Sequence, residues 1–236
     1  MKKKMFVCDV EGTIFKAKYR IKGTEYASTI WQSIAKCLGE AAIQEEKETQ
    51  KKWKNGRYAT YKEWVEDTVA IHIRYKLHKD KFKELIDKAE YEDGVIEFFQ
   101  NIDRRRFIPV LVSGGFQELV EKAKCDLKID YGFGACEYIF NNSYLDKFNY
   151  TDCDFEGKFD CLEDLFLKFK ITNKELIFVG DGKNDIDIAE KAALPFAFGI
   201  HAHEELRKKV KPEHNIKSFS EIPALIRTWE QQLSAG

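Results

Sequence analysis

The stretch FVCDVEGTIF, residues Phe6–Phe15, decides how the chain reads. An apolar run ends on Val7 and Cys8, two carboxylates follow one residue apart at Asp9 and Glu11, and a Gly-Thr pair comes directly behind them. Ionised carboxylates repel each other and lose solvation where strands converge, so a strand that ends this way calls for positive charge beside it. Three more apolar runs, FIPVLVSG at 107–114, ELIFVGDG at 175–182 and PFAFGI at 195–200, have the length of buried strands. Helical patterns such as GVIEFFQNIDRR and KFDCLEDLFLKFK precede two of them. This β-α alternation predicts an α/β fold with a parallel sheet, whose ligands collect beyond the carboxyl ends of the strands.

The segment 19–92 departs from that rhythm. It shows helix-like stretches, TEYASTIWQSIAKCLG and TYKEWVEDTVAIHIRYKL among them, and no convincing strand. It is expected to be an all-helical insert placed straight after the first strand, with residues 1–18 and 93–236 forming the core domain. Trp31, Trp53 and Trp64 are expected to form the insert's own packing core, because periodic aromatics face inward. Aromatic alternation around Asn141-Asn142 predicts a small β-hairpin, and Gly132-Phe133-Gly134, lacking the rest of a dinucleotide fingerprint, reads as a turn. Arg104–Arg106 are expected to close a helix, where positive charge complements the dipole.

Composition narrows the function classes. A hydrophobic fraction of 44% with 14% aromatics in 236 residues supports a sizeable core rather than disorder. With 39 basic and 40 acidic residues the net charge is -1, so no global field favours nucleic acid or an anionic membrane. The apolar part of MKKKMFVCDVEG is too short for a signal-peptide core and is broken by Asp9, which predicts a cytoplasmic protein. The six cysteines include no C-x-x-C pair, as expected of reduced, mostly buried thiols. His201 and His203 have no accompanying cluster of metal partners and read as solvent-facing residues near a helix start.

Four strand or helix ends bear on the opening stretch. They supply Asp9 with Glu11, then Ser113-Gly114-Gly115, then Lys158 in EGKFD, and finally Asp181 and Asp185 in GDGKND. In a parallel sheet all four converge at one edge, and carboxylates, an ammonium, a hydroxyl and glycine amides together describe a pocket shared by Mg²⁺ and a phosphate. Asp9 is the candidate nucleophile and Glu11 the candidate acid-base group. Ser113, Gly114 and Lys158 are candidates for the phosphoryl oxygens, and Asp181 with Asp185 for the metal.

In that order, DVEGT, VSGG, GK and VGDGKND resemble the four motifs of the haloacid dehalogenase superfamily of phosphohydrolases. The insert resembles that superfamily's type-one cap, and the closest likeness is to the phosphoserine phosphatase-like branch. The resemblance implies a Rossmann-like core and Mg²⁺-dependent hydrolysis of a small cytosolic phosphometabolite through an aspartyl-phosphate on Asp9. It implies Mg²⁺ held by Asp9, Asp181 and the backbone carbonyl of Glu11, with Asp185 in support. Glu11 stands where most members have Asp; the acid-base function is expected to survive the added methylene. Phosphoserine phosphatases also carry a substrate-gripping Arg and Glu in the cap region. The register here puts Glu66 and Lys18 at those positions, reversing both charges, with Arg57 and Glu25 close by as substitutes and Asn184 a further specificity candidate. A phosphotransferase using the same phosphoenzyme, a regulatory phospho-acceptor module and a phospholigand binder are the alternatives, and neither the physiological substrate nor the oligomeric state is legible.

Overall fold

The structure is a computed structural model that describes residues 2–20, 26–155 and 157–235. Strand β1 (Lys4–Cys8) is followed by a two-stranded ribbon, β2 (Tyr19–Arg20) and β3 (Tyr26–Ala27). Helices α1 (Ile30–Leu38), α2 (Glu40–Lys54), α3 (Tyr61–Arg74), α4 (Lys79–Asp87) and α5 (Val95–Asn101) lead to β4 (Phe107–Phe116) and α6 (Gln117–Leu127). Then come β5 (Tyr131–Asn141), β6 (Tyr144–Tyr150), α7 (Gly157–Asp160), α8 (Glu163–Phe169) and β7 (Leu176–Gly180). The chain closes with α9 (Ile186–Lys191), β8 (Leu194–Phe198), α10 (Glu204–Lys209), β9 (Asn215–Ile216) and α11 (Ile222–Ala235).

The sheet order is β6-β5-β4-β1-β7-β8-β9, parallel throughout except for the antiparallel β5-β6 edge. The path from β1 runs outward through β4 and β5, then crosses back to β7 on the other side of β1. That reversal makes the carboxyl end of β1 the topological switch point, where open α/β sheets bind ligands. β1 is apolar without alternation because both its faces are covered. Phe6 and Cys8 join one core layer with Phe98, Leu119 and Ile222, whereas Met5 and Val7 join the other with Leu162, Ile188 and Leu206.

Three expectations are corrected here. The insert is not all-helical, since β2 pairs antiparallel with β3, a two-residue ribbon too short to leave a periodicity in the sequence. Gly132 and Gly134 are not in a turn; they lie inside β5, paired with Leu111 and Ser113 of β4. Their small size serves packing: a Cβ at Gly132 would stand 2.6 Å from Cγ1 of Val120, and one at Gly134 2.7 Å from the backbone of Gln117. The tryptophans do pack together, Trp64 lying 5.4 Å from Trp31 and 6.5 Å from Trp53 centroid to centroid, but their cluster is continuous with the sheet's core and is not the insert's own. Trp31 packs on Phe116 of β4 with ring centroids 4.2 Å apart, so helix α1 is seated directly on the sheet. Arg104, just beyond α5, donates to the carbonyls of Phe99, Leu127 and Lys128, serving the carboxyl ends of both α5 and α6. The β5-β6 hairpin turns at Asn142 and Ser143, both at positive φ (46° and 68°), as a two-residue hairpin turn requires.

Gly134→Val is expected to lower stability by about 1–3 kcal/mol by forcing α6 away from β5. Urea unfolding checks this as a lower midpoint with an unchanged slope.

Candidate active site

The turn after β1 is shaped by Gly12, at φ +94°, a conformation that L side chains rarely adopt. A Cβ there would lie 2.4 Å from Oδ2 of Asp181, so glycine is what lets the first motif close against the fourth. The amides of Ile14 and Phe15 both donate to the carbonyl of Val10, and Thr13 donates through Oγ1 to Asp181 Oδ1 at 3.1 Å. Asp9 follows β1 directly, its backbone N–H donating to Val179 of β7 at 2.9 Å. Adjacent strands thus deliver Asp9 and Asp181 side by side.

Lys158, on the short helix α7, is fully buried. Its Nζ donates to Asp9 Oδ1 at 2.6 Å and to Asp185 Oδ1 at 2.5 Å. Burial alone would pull the ammonium down, but Asp185, Asp9 and Asp154 outweigh it and hold the pKa above its ordinary value. The second oxygen of Asp185 accepts from the amides of Asp181 and Gly182 at 2.9 and 2.8 Å, tightening the GDGKND loop. Asp9, Asp181 and Asp185 each offer an oxygen within 4.8 Å of the others. Among the described residues this is where three possible metal ligands gather, and Asp9 Oδ2 is buried there without a hydrogen-bond partner. All-oxygen donors with an orphaned carboxylate oxygen fit a hard cation such as Mg²⁺.

The acids repel ionisation. Burial pushes Asp9 up to about 7 against the pull of Lys158, and it raises Asp181 well above the usual carboxylate range, with Asp9 and Asp185 adding to the effect. Burial lifts Glu11 to about 8, opposed by a hydrogen bond from the amide of Ile30, the first residue of α1, at 3.0 Å. A bound cation would reverse this logic by favouring the ionised acids.

Ser113 is buried within β4, three residues before its end, where the pairing to β5 shifts register between Ser113 and Phe116. Its Oγ accepts from the amide of Gly115 at 3.0 Å. A Cβ on Gly115 would be 3.6 Å from Glu11 Oε2, which puts the second motif against the acid-base candidate. Gly114 packs against Asp154, and its carbonyl accepts from the Tyr61 hydroxyl at 2.9 Å. The structure therefore gathers Asp9, Glu11, Ser113, Gly114, Lys158, Asp181 and Asp185. Arg57 is exposed in the loop between α2 and α3, Glu66 is exposed on α3, Lys18 is exposed just before β2, and Glu25 lies outside the described residues. Asn184 donates to Asp154.

Asp154 and Tyr61 are what reading the sequence missed. Asp154 is 5% exposed, and burial lifts it to about 6 against Lys158 and Asn184. Its only trace in the sequence is a carboxylate four residues ahead of Lys158 in an aperiodic stretch. Tyr61 looks like any helix-start aromatic until the fold aims its hydroxyl at Gly114. His203 donates through its backbone N–H to the carbonyl of Asp181 at 2.8 Å, and its ring is half-buried rather than solvent-facing, with Nδ1 buried without a hydrogen-bond partner.

The fold and this centre together define a doubly wound α/β protein with a lysine-bridged carboxylate cluster at the switch point of its sheet. The chain belongs to the haloacid dehalogenase-like hydrolases, whose family model matches residues 3–193. It is similar to the phosphoserine phosphatase of Lactococcus lactis subsp. lactis, 31% identical over 140 residues, and to that of Methanocaldococcus jannaschii, 30% identical over 140 residues. These matches cover 58% and 55% of this chain and span 63% of each relative's length. Its fold is shared with a phospho-aspartyl intermediate analogue of phosphoserine phosphatase (TM-score 0.70, 24% identity, 89% of this chain and 92% of the other). A phosphoserine phosphohydrolase-like protein from Francisella tularensis shares it as well (TM-score 0.67, 21% identity, 96% and 100%). No helix among the described residues is long and apolar enough to cross a membrane.

Two outcomes test the electrostatics. Lys158→Met leaves Asp9 and Asp185 buried without their counter-ion and is expected to cost about 3–5 kcal/mol in chelator-treated protein, measured by urea unfolding. A carboxyl raised in the folded state contributes stability that is present below its ordinary pKa and lost as pH rises through the folded value. The metal-free protein is therefore expected to lose stability between about pH 4.5 and about 8. Glu11→Gln is expected to flatten the upper part of that loss in thermal melts.

Proposed function

We propose that the protein is a Mg²⁺-dependent phosphomonoester hydrolase acting on a small phosphorylated metabolite through an aspartyl-phosphate on Asp9. The observation behind this reading is the convergence of Asp9, Asp181 and Asp185 on one point, with Lys158 bridging two of them. Mg²⁺ held by Asp9, Asp181, Asp185 and the backbone carbonyl of Glu11 would neutralise the charge that builds where acids meet a phosphoryl group.

The residues divide the remaining work. Asp9 Oδ1 is engaged by Lys158, and the unpartnered Oδ2 belongs to the same nucleophilic carboxylate. Attack of Asp9 on phosphorus forms the acyl phosphate and breaks the ester P–O bond, and the departing alkoxide takes its proton from Glu11. Glu11 suits that first half-reaction because burial keeps it protonated near neutrality. In the second half its carboxylate accepts a proton from water, whose oxygen attacks phosphorus, releasing inorganic phosphate and restoring Asp9. Ser113 Oγ and the backbone at Gly114 orient phosphoryl oxygens, and Lys158 offsets their charge. The hydrogen bond from α1 to Glu11 makes correct placement of the acid depend on the insert lying over the site.

Phosphate release from 4-nitrophenyl phosphate tests the reading. Activity is expected only with added Mg²⁺. Asp9→Asn is expected to abolish it, and Glu11→Gln to lower it by about 10²- to 10⁴-fold. Full activity in Asp9→Asn overturns the nucleophile.

A further inference from the structure

Tyr19, the first residue of β2, carries a hydroxyl for which the chemistry described so far has no use. The residue is 4% exposed, and among the described residues its hydroxyl finds no hydrogen-bond partner. A buried hydroxyl left unpaired is costly, and phenylalanine would fill the same space without that cost. The ring lies in the apolar layer that holds Ile14, Ile30 and Ile34. Its oxygen is turned elsewhere. Burial, and after it the charges of Glu11, Asp9 and Asp181 in that order, hold the phenol well above its ordinary pKa. The hydroxyl therefore faces the reaction centre, with Glu11 the strongest of its charged neighbours, and it keeps its proton.

The path of the chain accounts for this placement. β2 pairs with β3 through Tyr19 and Ala27, and two residues past Ala27 the side chain of Thr29 caps α1 by accepting from the amide of Gln32. The next amide, that of Ile30, donates to Glu11 Oε1. The ribbon thus brings Tyr19 and the amino end of α1 to the same carboxylate. Glu11 is held by the amide of Ile30 and not by the phenol, so the partner that Tyr19 lacks is an atom brought by the ligand.

We propose that Tyr19 is a catalytic residue, its hydroxyl donating a hydrogen bond to the bridging oxygen of the phosphoester as that oxygen leaves phosphorus. The inference rests on the phosphohydrolase reading of the site.

The neighbours of the hydroxyl select this role. Asp9 attacks phosphorus from one side and Glu11 serves the oxygen departing on the other, so a donor that feels Glu11 more strongly than Asp9 stands beside the departing oxygen. The balance of the step is unchanged. Asp9 forms the new O–P bond, the ester P–O bond breaks, and the proton that ends on the alcohol comes from Glu11 while Tyr19 retains its own. A fixed donor aimed at charge that develops only as the bond breaks lowers the barrier without tightening ground-state binding to the same degree.

The experiment compares Tyr19→Phe with the wild-type protein, in Mg²⁺, on two esters of similar shape, 4-methoxyphenyl phosphate and 4-nitrophenyl phosphate. The nitrophenolate spreads its charge into the ring and needs little help, whereas the methoxyphenolate holds its charge on the departing oxygen. The variant is expected to lose about tenfold or more in kcat/KM on the methoxyphenyl ester, and at least about threefold less on the nitrophenyl ester. Its urea midpoint is expected to be unchanged or raised, because the hydroxyl removed had no partner in the folded protein. A smaller difference between the two losses, no loss on either ester, or a lowered urea midpoint overturns the inference and leaves the phosphohydrolase reading intact. Absence of hydrolysis of both esters by the wild-type protein sinks both.

Discussion

A lysine with no solvent exposure, clasped by two carboxylates from different parts of the chain, is the constraint on which the rest of this structure depends. An isolated buried ammonium is prohibitively expensive, and so are the acids it touches. Together they are tolerable because Lys158 sits within hydrogen-bond distance of both Asp9 and Asp185. That requirement fixes the geometry around it. The end of β1, the start of α7 and the loop after β7 must all meet at one point. Glycines stand where a Cβ would keep them apart, at Gly12 against Asp181 and at Gly180 against Asp185.

One ammonium does not balance the site. Asp9, Glu11, Asp154, Asp181 and Asp185 surround it, and burial lifts four of these acids above their ordinary range. A cluster left short of positive charge has two remedies, taking up protons or taking up a cation, and the orphaned oxygen of Asp9 is where a cation would find a free ligand. The same imbalance explains why the charge-neutral composition of the whole chain says so little about the centre. The field that matters is local and is made by strand ends.

The insert is tied to this centre by packing and by a hydrogen bond. Trp31 rests on Phe116, one residue beyond the glycines of the second motif, and Phe82 packs edge-on against Phe116 and at a tilt against Tyr138. The amide of Ile30 ends on Glu11, so the amino end of α1 supplies partial positive charge to the acid. Tyr61 makes the matching contact from α3 to Gly114. A shift of the insert therefore alters the environment of Glu11 and of the Ser113–Gly115 segment together.

Four of the sheet's strands, β1, β4, β7 and β8, their parallel direction and the four chemistry-bearing ends were legible in the sequence. Continuous apolar runs mark strands buried on both faces, and a polar residue straight after such a run is delivered to the ligand-binding edge. Asp9, Ser113 and Asp181 each fall on that pattern. Tertiary structure alone decided what depends on surfaces meeting. It set Gly132 and Gly134 into a strand because α6 packs against them, and it stood Trp31 on the sheet instead of within a separate helical core. It also drew Asp154 and Tyr61 to Gly114. None of these has a periodic signature, since side-chain spacing along the chain reports which face of an element is apolar and is silent about which other element will cover it.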